Sequence, residues 1–456
     1  MPDSLALLRS PATIRERCAN IARAVDEGRS ERFTLARGKL AQVVDRVEAL
    51  TRARYPALAI PYHSRWRHFE AGGVDRKARL DAALAGRTLA AQARSRIDLT
   101  VVSVLLDAGA GPDWRYVEAL DGATHLRSQV DPALPGDLNP KGHAGAPSWP
   151  LGQAGLARPW GRSEGLGVAS FHAFMAGLFS SDPGDPNRVD AAALKRLRPE
   201  QLALAFQVSD TNPLVGLTGR ATLLNRLGEA LQAQPELFGG DGRPGGLFDA
   251  LTLHGRNHRV SASRVLAALL EHLGTIWPPR DDGNVLLGQP VGQTLGQPLD
   301  QPLGDCWRHP LAGGSGASAG WVPFHKLSQW LCYSLLEPFE WAGVTLTDLD
   351  ALTGLPEYRN GGLLLDAGVI VPRDPLFAQA LYRVADPFIV EWRALTVSLL
   401  DDVATQLRLR LGRSSQDLPL ACVLEGGTWA AGRRLARECR ADGSPPLRID
   451  SDGTVF

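Results

Sequence analysis

The sequence predicts a mainly α architecture with a small β element near the C-terminus. Two observations carry this: apolar residues recur three and four apart, with charges between them, through most of the chain, and helix caps and breakers stand where those runs begin and end. A length of 456 residues, 44% of them hydrophobic, supports a substantial core and admits one large unit or two to three domains.

Taken in order, residues 11–26, 32–54 and 75–106 read as three packed helices, with Gly28 and Pro56 closing the first two. The apolar stretch from Ile97 to Leu106 is assigned to the end of the third helix by continuity. Residues 121–159 turn to Pro, Gly, Asn and His and read as a long ordered loop, because Leu and Trp persist there. Helices resume over 165–179, 190–197, 198–206, 218–234 and 261–273. Residues 284–305, where Gly-Gln-Pro recurs, and the glycine-rich run from Gly313 to Gly320 read as loops. The second lacks the Gly-Lys-Ser/Thr of a phosphate cradle, so a flexible linker or lid is expected. Helices follow at 324–336, 345–352, 353–367 and 387–411, the last with Asp386 as N-cap, Pro387 in the first turn and Gly412 at its close. Beyond it, 419–424 and 446–450 read as a small β element around a helix over 428–439.

Lys and Arg together number 49 and so do Asp and Glu, giving a formal net charge of zero. Nucleic acid and anionic membranes call for a basic excess, so a small-molecule substrate is expected and neither of those partners is. Lysine occurs only at Lys39, Lys77, Lys141, Lys195 and Lys326, which singles out Lys141 and Lys326 as places where a flexible ammonium is wanted for itself. The five cysteines are scattered and form no C-x-x-C, so neither a disulfide framework nor a zinc cluster is implied. With no apolar signal core at the N-terminus and no run of ~18 apolar residues, the chain reads as cytoplasmic. No metal or organic cofactor is expected, and the oligomeric state is left open.

Several constellations read as structural. The acidic pair in Leu399-Leu-Asp-Asp-Val-Ala-Thr405 lies in helical, glycine-free sequence and reads as a solvated helix turn rather than a phosphoribosyl-diphosphate site. His254 and His258 have helical metal spacing but no partner carboxylate, and with His63 and His68 they read as scattered surface histidines.

Four segments are candidates for chemistry. In Trp321-Val-Pro-Phe-His-Lys-Leu-Ser-Gln-Trp-Leu-Cys-Tyr333, helical spacing puts Lys326, Gln329, Trp330 and Tyr333 on one face beside an apolar stripe. Such a face suits a polar, anionic ligand or packs on a neighbouring helix. In Thr353-Gly-Leu-Pro-Glu-Tyr-Arg-Asn-Gly-Gly362, Thr353 as cap sets Glu357 and Tyr358 near the positive end of a helix, with Arg359 beside them and Gly361-Gly362 as a place of close approach. In Trp160-Gly-Arg-Ser-Glu-Gly-Leu-Gly167, Arg162 and Glu164 flank the opening of a helix. In Leu106-Asp-Ala-Gly-Ala-Gly-Pro-Asp-Trp114, Asp107 ends an apolar run and Trp114 follows a flexible turn.

Together, Trp160-Gly-Arg-Ser-Glu-Gly165, Leu303-Gly-Asp-Cys-Trp-Arg-His-Pro310, Pro323-Phe-His-Lys-Leu-Ser-Gln329 and Leu355-Pro-Glu-Tyr-Arg-Asn-Gly-Gly362 resemble the family of the fourth uracil-catabolism protein, also described as uracil-regulatable, over essentially the whole chain. The resemblance implies a part in degrading uracil through a ribosylated urea, and it favours one large helical unit over independent domains. That unit is residues 1–456, with an N-terminal helical part over 1–120, a central core over 160–280 and 320–412 holding the site, and a small α/β tail over 413–456.

A more distant resemblance is to the queuosine-salvage N-glycosidases. Their lysine helix is matched by His325-Lys326-Leu-Ser-Gln329, and their Asp-Tyr-Arg motif by Glu357-Tyr358-Arg359, followed by Ala367-Gly368-Val369. That family resembles the all-α DNA-glycosylase fold. Glu replaces its Asp, Asn-Gly-Gly replaces its Val-Pro-Gln, and Ser334 stands where an Asp is expected, so base recognition departs more than sugar chemistry. The resemblance implies an N-glycosidase that releases urea from a ribosylurea, as its 5-phosphate. Glu357 would stabilise the oxocarbenium-like state, and Asp107 or Glu164 would protonate the leaving group. Lys326 and Arg359 would hold phosphate or sugar hydroxyls, Tyr358, Trp330 and Trp114 would wall the pocket, and Gln329, Arg162 and Asp210 would add contacts. The alternatives are a phosphoribosyltransferase-type or ureido-hydrolysing enzyme of the same route, or a scaffold for its enzymes.

Overall fold

The computed structural model describes residues 4–119, 157–252, 258–277, 285–286 and 301–450. Its architecture is mainly helical. The helices that position the site are α1 (Pro11–Asp26), α2 (Leu40–Arg54), the short α3 (Arg65–Phe69), α4 (Leu89–Leu105), α5 (Arg162–Met175), α6 (Lys326–Trp341), α7 (Tyr358–Asp366), α8 (Pro387–Leu411) and α9 (Trp429–Cys439). One contiguous apolar core runs through them, from Ile14 on α1 to Leu447 beyond α9. Burial on that scale, at about 25 cal/mol per Å² of apolar surface, is what holds helices of such modest individual propensity.

Helices α4 and α6 pack along each other at the centre, α1 lies on α8, and α9 covers α7. Close packing needs glycine at two of these seams: a Cβ on Gly432 of α9 would overlap the Arg359 carbonyl, and one on Gly361 of α7 would enter the Trp392 ring. The close approach expected at Gly361-Gly362 is therefore made by the protein itself, with Pro446 standing over Gly362.

Strands are short pairs that tie distant segments. Phe33–Leu35 runs antiparallel to Ile370–Pro372, Arg115–Ala119 to Ala157–Gly161, and Cys306–Arg308 to Trp321–Pro323. Arg448–Asp450 runs parallel to Leu381–Arg383.

Several boundaries differ from the sequence reading. The helix expected over 75–106 is broken at Gly86, whose φ of +80° stops it between Arg76–Ala83 and α4. Residues 345–352 are a strand and a 3₁₀ turn, because Thr345–Thr347 pairs with Arg259–Ser261. Residues 419–424, expected as a strand, are helical: Leu420–Val423 runs into a π-helical turn, Leu424–Thr428, that leads straight into α9. The Gly313–Gly320 run is an ordered turn, closed by a bond from the Gly320 N–H to the Gly313 carbonyl and seated on α1, where Asn20 donates to the Ala312 carbonyl at 2.9 Å. Lys141, His254 and most of the Gly-Gln-Pro segment lie outside the described residues. No helix among the described residues is long and apolar enough to cross a membrane.

Candidate functional site

The site is built from the starts of helices. Asp305 fixes the first of them: its carboxylate takes two bonds from the buried Arg393 guanidinium of α8, at 2.7 and 2.6 Å, and accepts the Lys326 N–H at 2.9 Å and the Trp307 indole N–H at 2.7 Å. Burial pushes its pKa up, but Arg393 and these donors outweigh that and hold it at about 2. A carboxylate at the N-terminus of α6 in turn favours the helix dipole and sets where Lys326 emerges.

Glu357 caps α7. Its two carboxylate oxygens accept the Arg359 and Asn360 N–H groups at 2.7 and 2.6 Å, so the cap is Glu357 rather than Thr353. Thr353 instead meets Gln329: the Gln329 amide donates to its hydroxyl and accepts its backbone N–H at 3.2 Å. Gln329 is thus held within the core, as is Tyr333, whose hydroxyl donates to the Thr353 carbonyl at 2.9 Å.

The start of α5 brings the second acid. Glu164 receives a bond from Arg433 of α9 at 3.0 Å. Burial raises its pKa, yet the charge of Arg433, and then His68, keeps the carboxyl at about 2. Gly165 and Gly167 let this turn close in, because Cβ atoms there would meet Trp114 at 2.8 Å and His68 at 2.9 Å. Trp114 itself is fully buried, with its indole N–H on the Phe206 carbonyl at 3.0 Å, and acts as a back support for the α5 turn.

Asp107, just past α4, pairs with Arg65 at 3.0 Å. Burial lowers the pKa of the Arg65 guanidinium, opposed by Asp107 and then Glu164. Lys326 joins the same field: burial lowers its ammonium, while Asp107 and Glu357 pull it back up. On the other side, burial and the neighbouring Arg433 and Arg162 bring Arg359 down to about 10, against Glu357 and Glu164. Arg162 is lowered by its burial and by Arg433. Burial and Glu357 push the Tyr358 phenol up to about 12.

Asp107, Glu164, Lys326, Glu357, Arg359 and Arg162 therefore share one electrostatic neighbourhood, and Asp210 lies outside it, exposed in a turn. Five cations, Arg65, Arg162, Lys326, Arg359 and Arg433, face three carboxylates there. Three guanidiniums held close enough to repel one another are stable company for an anion, which relieves the repulsion.

Sequence reasoning missed Arg65, Arg433, Glu425, His63 and His68. The last two are not surface histidines: His63 is buried beside Trp330, ring centroids 4.9 Å apart, and His68 lies 5.8 Å from the same indole. Glu425, in the π turn, accepts from His63 at 2.9 Å and from Arg54 at 2.9 Å. Such turns widen a helix by one residue and are frequent at functional sites. The His63 to His68 spacing gives no helical face, since α3 begins only at Arg65. Of the decoys, Asp401 pairs with Arg15 at 2.9 Å and Asp402 with Arg37 at 2.9 Å, as expected for a structural acidic pair.

A family model described as "Protein of unknown function (DUF1688)" matches residues 7–130 and 143–456. The chain is 34% identical over 487 aligned residues to "Uracil catabolism protein 4" of Lachancea kluyveri, covering 100% of this chain and 99% of that one. It is also 34% identical over 462 aligned residues to "Protein urg3" of Schizosaccharomyces pombe, with the same coverage.

Proposed function

This chain belongs to the DUF1688 family, and from that premise we propose that it acts in uracil catabolism as an N-glycosidase, releasing urea from a ribosylurea 5-phosphate. The observation that carries the reading is the convergence of Glu357, Asp107 and Glu164 with Lys326 and the Arg162, Arg359 and Arg433 guanidiniums. The guanidiniums, with the N-termini of α5 and α7, suit a dianionic phosphate. Glu357, its carboxylate oriented by two backbone donors, would stabilise positive charge developing at the sugar C1 as the C–N bond lengthens. Glu164, held at about 2, carries no proton at neutral pH and serves to orient Arg433. Of the two acids considered for the leaving group, Asp107 on the Lys326 side is the one to test.

The test incubates purified protein with ribosylurea 5-phosphate and measures urea. Wild type is expected to release it, and Glu357→Gln to be slower by about 10²- to 10³-fold, the scale for losing one preorganised charge interaction. Gln keeps an acceptor at the cap, so the variant is expected to stay folded, within about 1 kcal/mol. No urea from wild type, or undiminished urea from a folded variant, sinks the assignment.

A further inference from the structure

Two histidines beside one tryptophan use Nδ1 in opposite senses, one as a donor and one as an acceptor. His63 Nδ1 lies 2.9 Å from a Glu425 oxygen, and Glu425 also accepts from Arg54 at 2.9 Å and from the Tyr55 hydroxyl at 3.2 Å. A carboxylate only accepts, so His63 donates from Nδ1, and the tautomer that this bond selects has Nε2 as its acceptor. His68 is the reverse. Its Nδ1 lies 2.8 Å from an Arg65 nitrogen, a guanidinium only donates, and so Nδ1 accepts and the proton sits on Nε2. Neither Nε2 has a hydrogen-bond partner among the described residues.

Both rings pack against Trp330, which is 6% exposed and whose indole N–H also has no acceptor among the described residues. A buried N–H left unmatched carries a desolvation cost that a ligand or water would recover. Trp429 closes the other side of His63, at 6.2 Å, and Arg433 lies over Trp429 at 4.8 Å while holding Glu164. The aromatic corner is therefore continuous with the charged cluster.

We propose that His63, His68 and Trp330 form the subsite for a planar ureido group, with His63 Nε2 accepting from its N–H while His68 Nε2–H and the Trp330 indole N–H donate to its carbonyl. The assignment rests on the ribosylurea reading of the site. An acceptor and two donors carried on rings that share the Trp330 contact match a group that carries both N–H and C=O. A carboxylate would leave the His63 lone pair unmatched, and an ammonium would leave both donors unmatched. The intact uracil ring presents the same N–H and C=O edge, so the test separates the two sources.

Nitrogen-15 NMR of histidine-labelled protein is expected to show His63 protonated at Nδ1 and His68 at Nε2; the opposite tautomer at either ring overturns the proposal. Calorimetry with ribosylurea 5-phosphate and ribose 5-phosphate is expected to show wild type preferring the first by about tenfold. His68→Phe, which keeps a ring on Trp330, is expected to remove most of that preference while changing ribose 5-phosphate binding less than about twofold. No preference in wild type, equal losses for both ligands, or tighter binding of uridine 5′-phosphate than of ribosylurea 5-phosphate would each overturn it. If the preference holds but no urea is released, the subsite stands and only the glycosidase reading falls.

Discussion

Arg65 is the residue around which the site is organised. Fully buried, it donates to the Ser103 hydroxyl at 2.7 Å, to the Ser103 and Ser163 carbonyls at 3.2 and 3.1 Å, and to His68, and it pairs with Asp107. An always-charged donor in that position makes His68 hard to protonate. Burial, then Arg65, then His63 disfavour its imidazolium against the pull of Asp107 and Glu164, bringing the pKa from 6.5 to about 4. As pH falls, the unfolded chain binds the His68 proton first, so this residue weakens the fold progressively between about pH 6.5 and 4 and not outside that window. The carboxylates held at about 2, Glu164 and Glu425, stabilise the fold above their ordinary 4.5 and begin to lose that contribution below it, in wild type and variant alike, so the comparison between the two proteins isolates His68. In urea melts, His68→Gln, which keeps an acceptor for Arg65, is expected to gain about 1–3 kcal/mol on wild type between pH 7 and pH 4. A difference that stays constant over that range would count against a depressed His68. Little of this was legible beforehand: Glu357, Lys326 and Arg359 stand out by residue type and motif, whereas the roles of Arg65 and His68 come from burial, which their sequence neighbours do not reveal.

Two of the helices that carry the site begin on strained backbone. Arg162 has φ +53° and His325 φ +47°, left-handed values that side chains with a Cβ rarely adopt; Arg162 opens α5 two residues ahead of Glu164, and His325 directly precedes Lys326 at the start of α6. Strain of this kind costs of order 1–3 kcal/mol and persists where the position of a side chain matters more than stability. Arg162→Gly tests that trade at the start of α5. Melting temperature is expected to hold or rise, because glycine adopts the left-handed region freely, while the KM for ribosylurea 5-phosphate rises about tenfold or more with the loss of one guanidinium of the cluster proposed to hold its phosphate. A variant less stable than wild type with an unchanged KM would show that Arg162 is structural. Helices whose ends carry strong chemical signals match the sequence reading: Pro11–Asp26 begins at a proline, and Pro387–Leu411 runs from Asp386 to Gly412, which closes it at φ +60°. The reading fails where tertiary pairing decides. Thr345–Thr347 is drawn into a strand by Arg259–Ser261, and residues 419–424, β-rich in composition, are pulled into helix by the core beneath α2 and α8. The cap of α7 lies four residues beyond the expected Thr353 because Glu357 caps with two bonds while Thr353 is engaged by Gln329.

At the scale of the molecule, the site draws on segments near residues 65, 107, 164, 326, 357 and 433, so its parts come from nearly the whole chain. Local periodicity finds the helices but cannot say which of them meet; only the whole-chain resemblance pointed to one unit. The C-terminal tail shows the difference most clearly. Read from the sequence, 413–456 is a small appendage, yet it supplies Glu425 to His63, Trp429 beside His63, and Arg433 to Glu164, and its helix α9 lies flush on α7 with Gly432 against the Arg359 backbone. Its apolar residues Leu420, Val423, Leu424 and Leu435 belong to the same continuous core as α1 and α8. Ending the chain after Gly412 would therefore strip the cover from α7, leave the half-buried Arg54 and the buried His63 without Glu425, and remove one of the three clustered guanidiniums. The 1–412 truncation is expected to lose the cooperative unfolding transition that the full chain shows, and with it all binding of ribosylurea 5-phosphate. Calorimetric melting of both proteins decides it: a truncated chain that still unfolds in one sharp transition within a few degrees of the full chain would make the tail a separable appendage and the site correspondingly smaller.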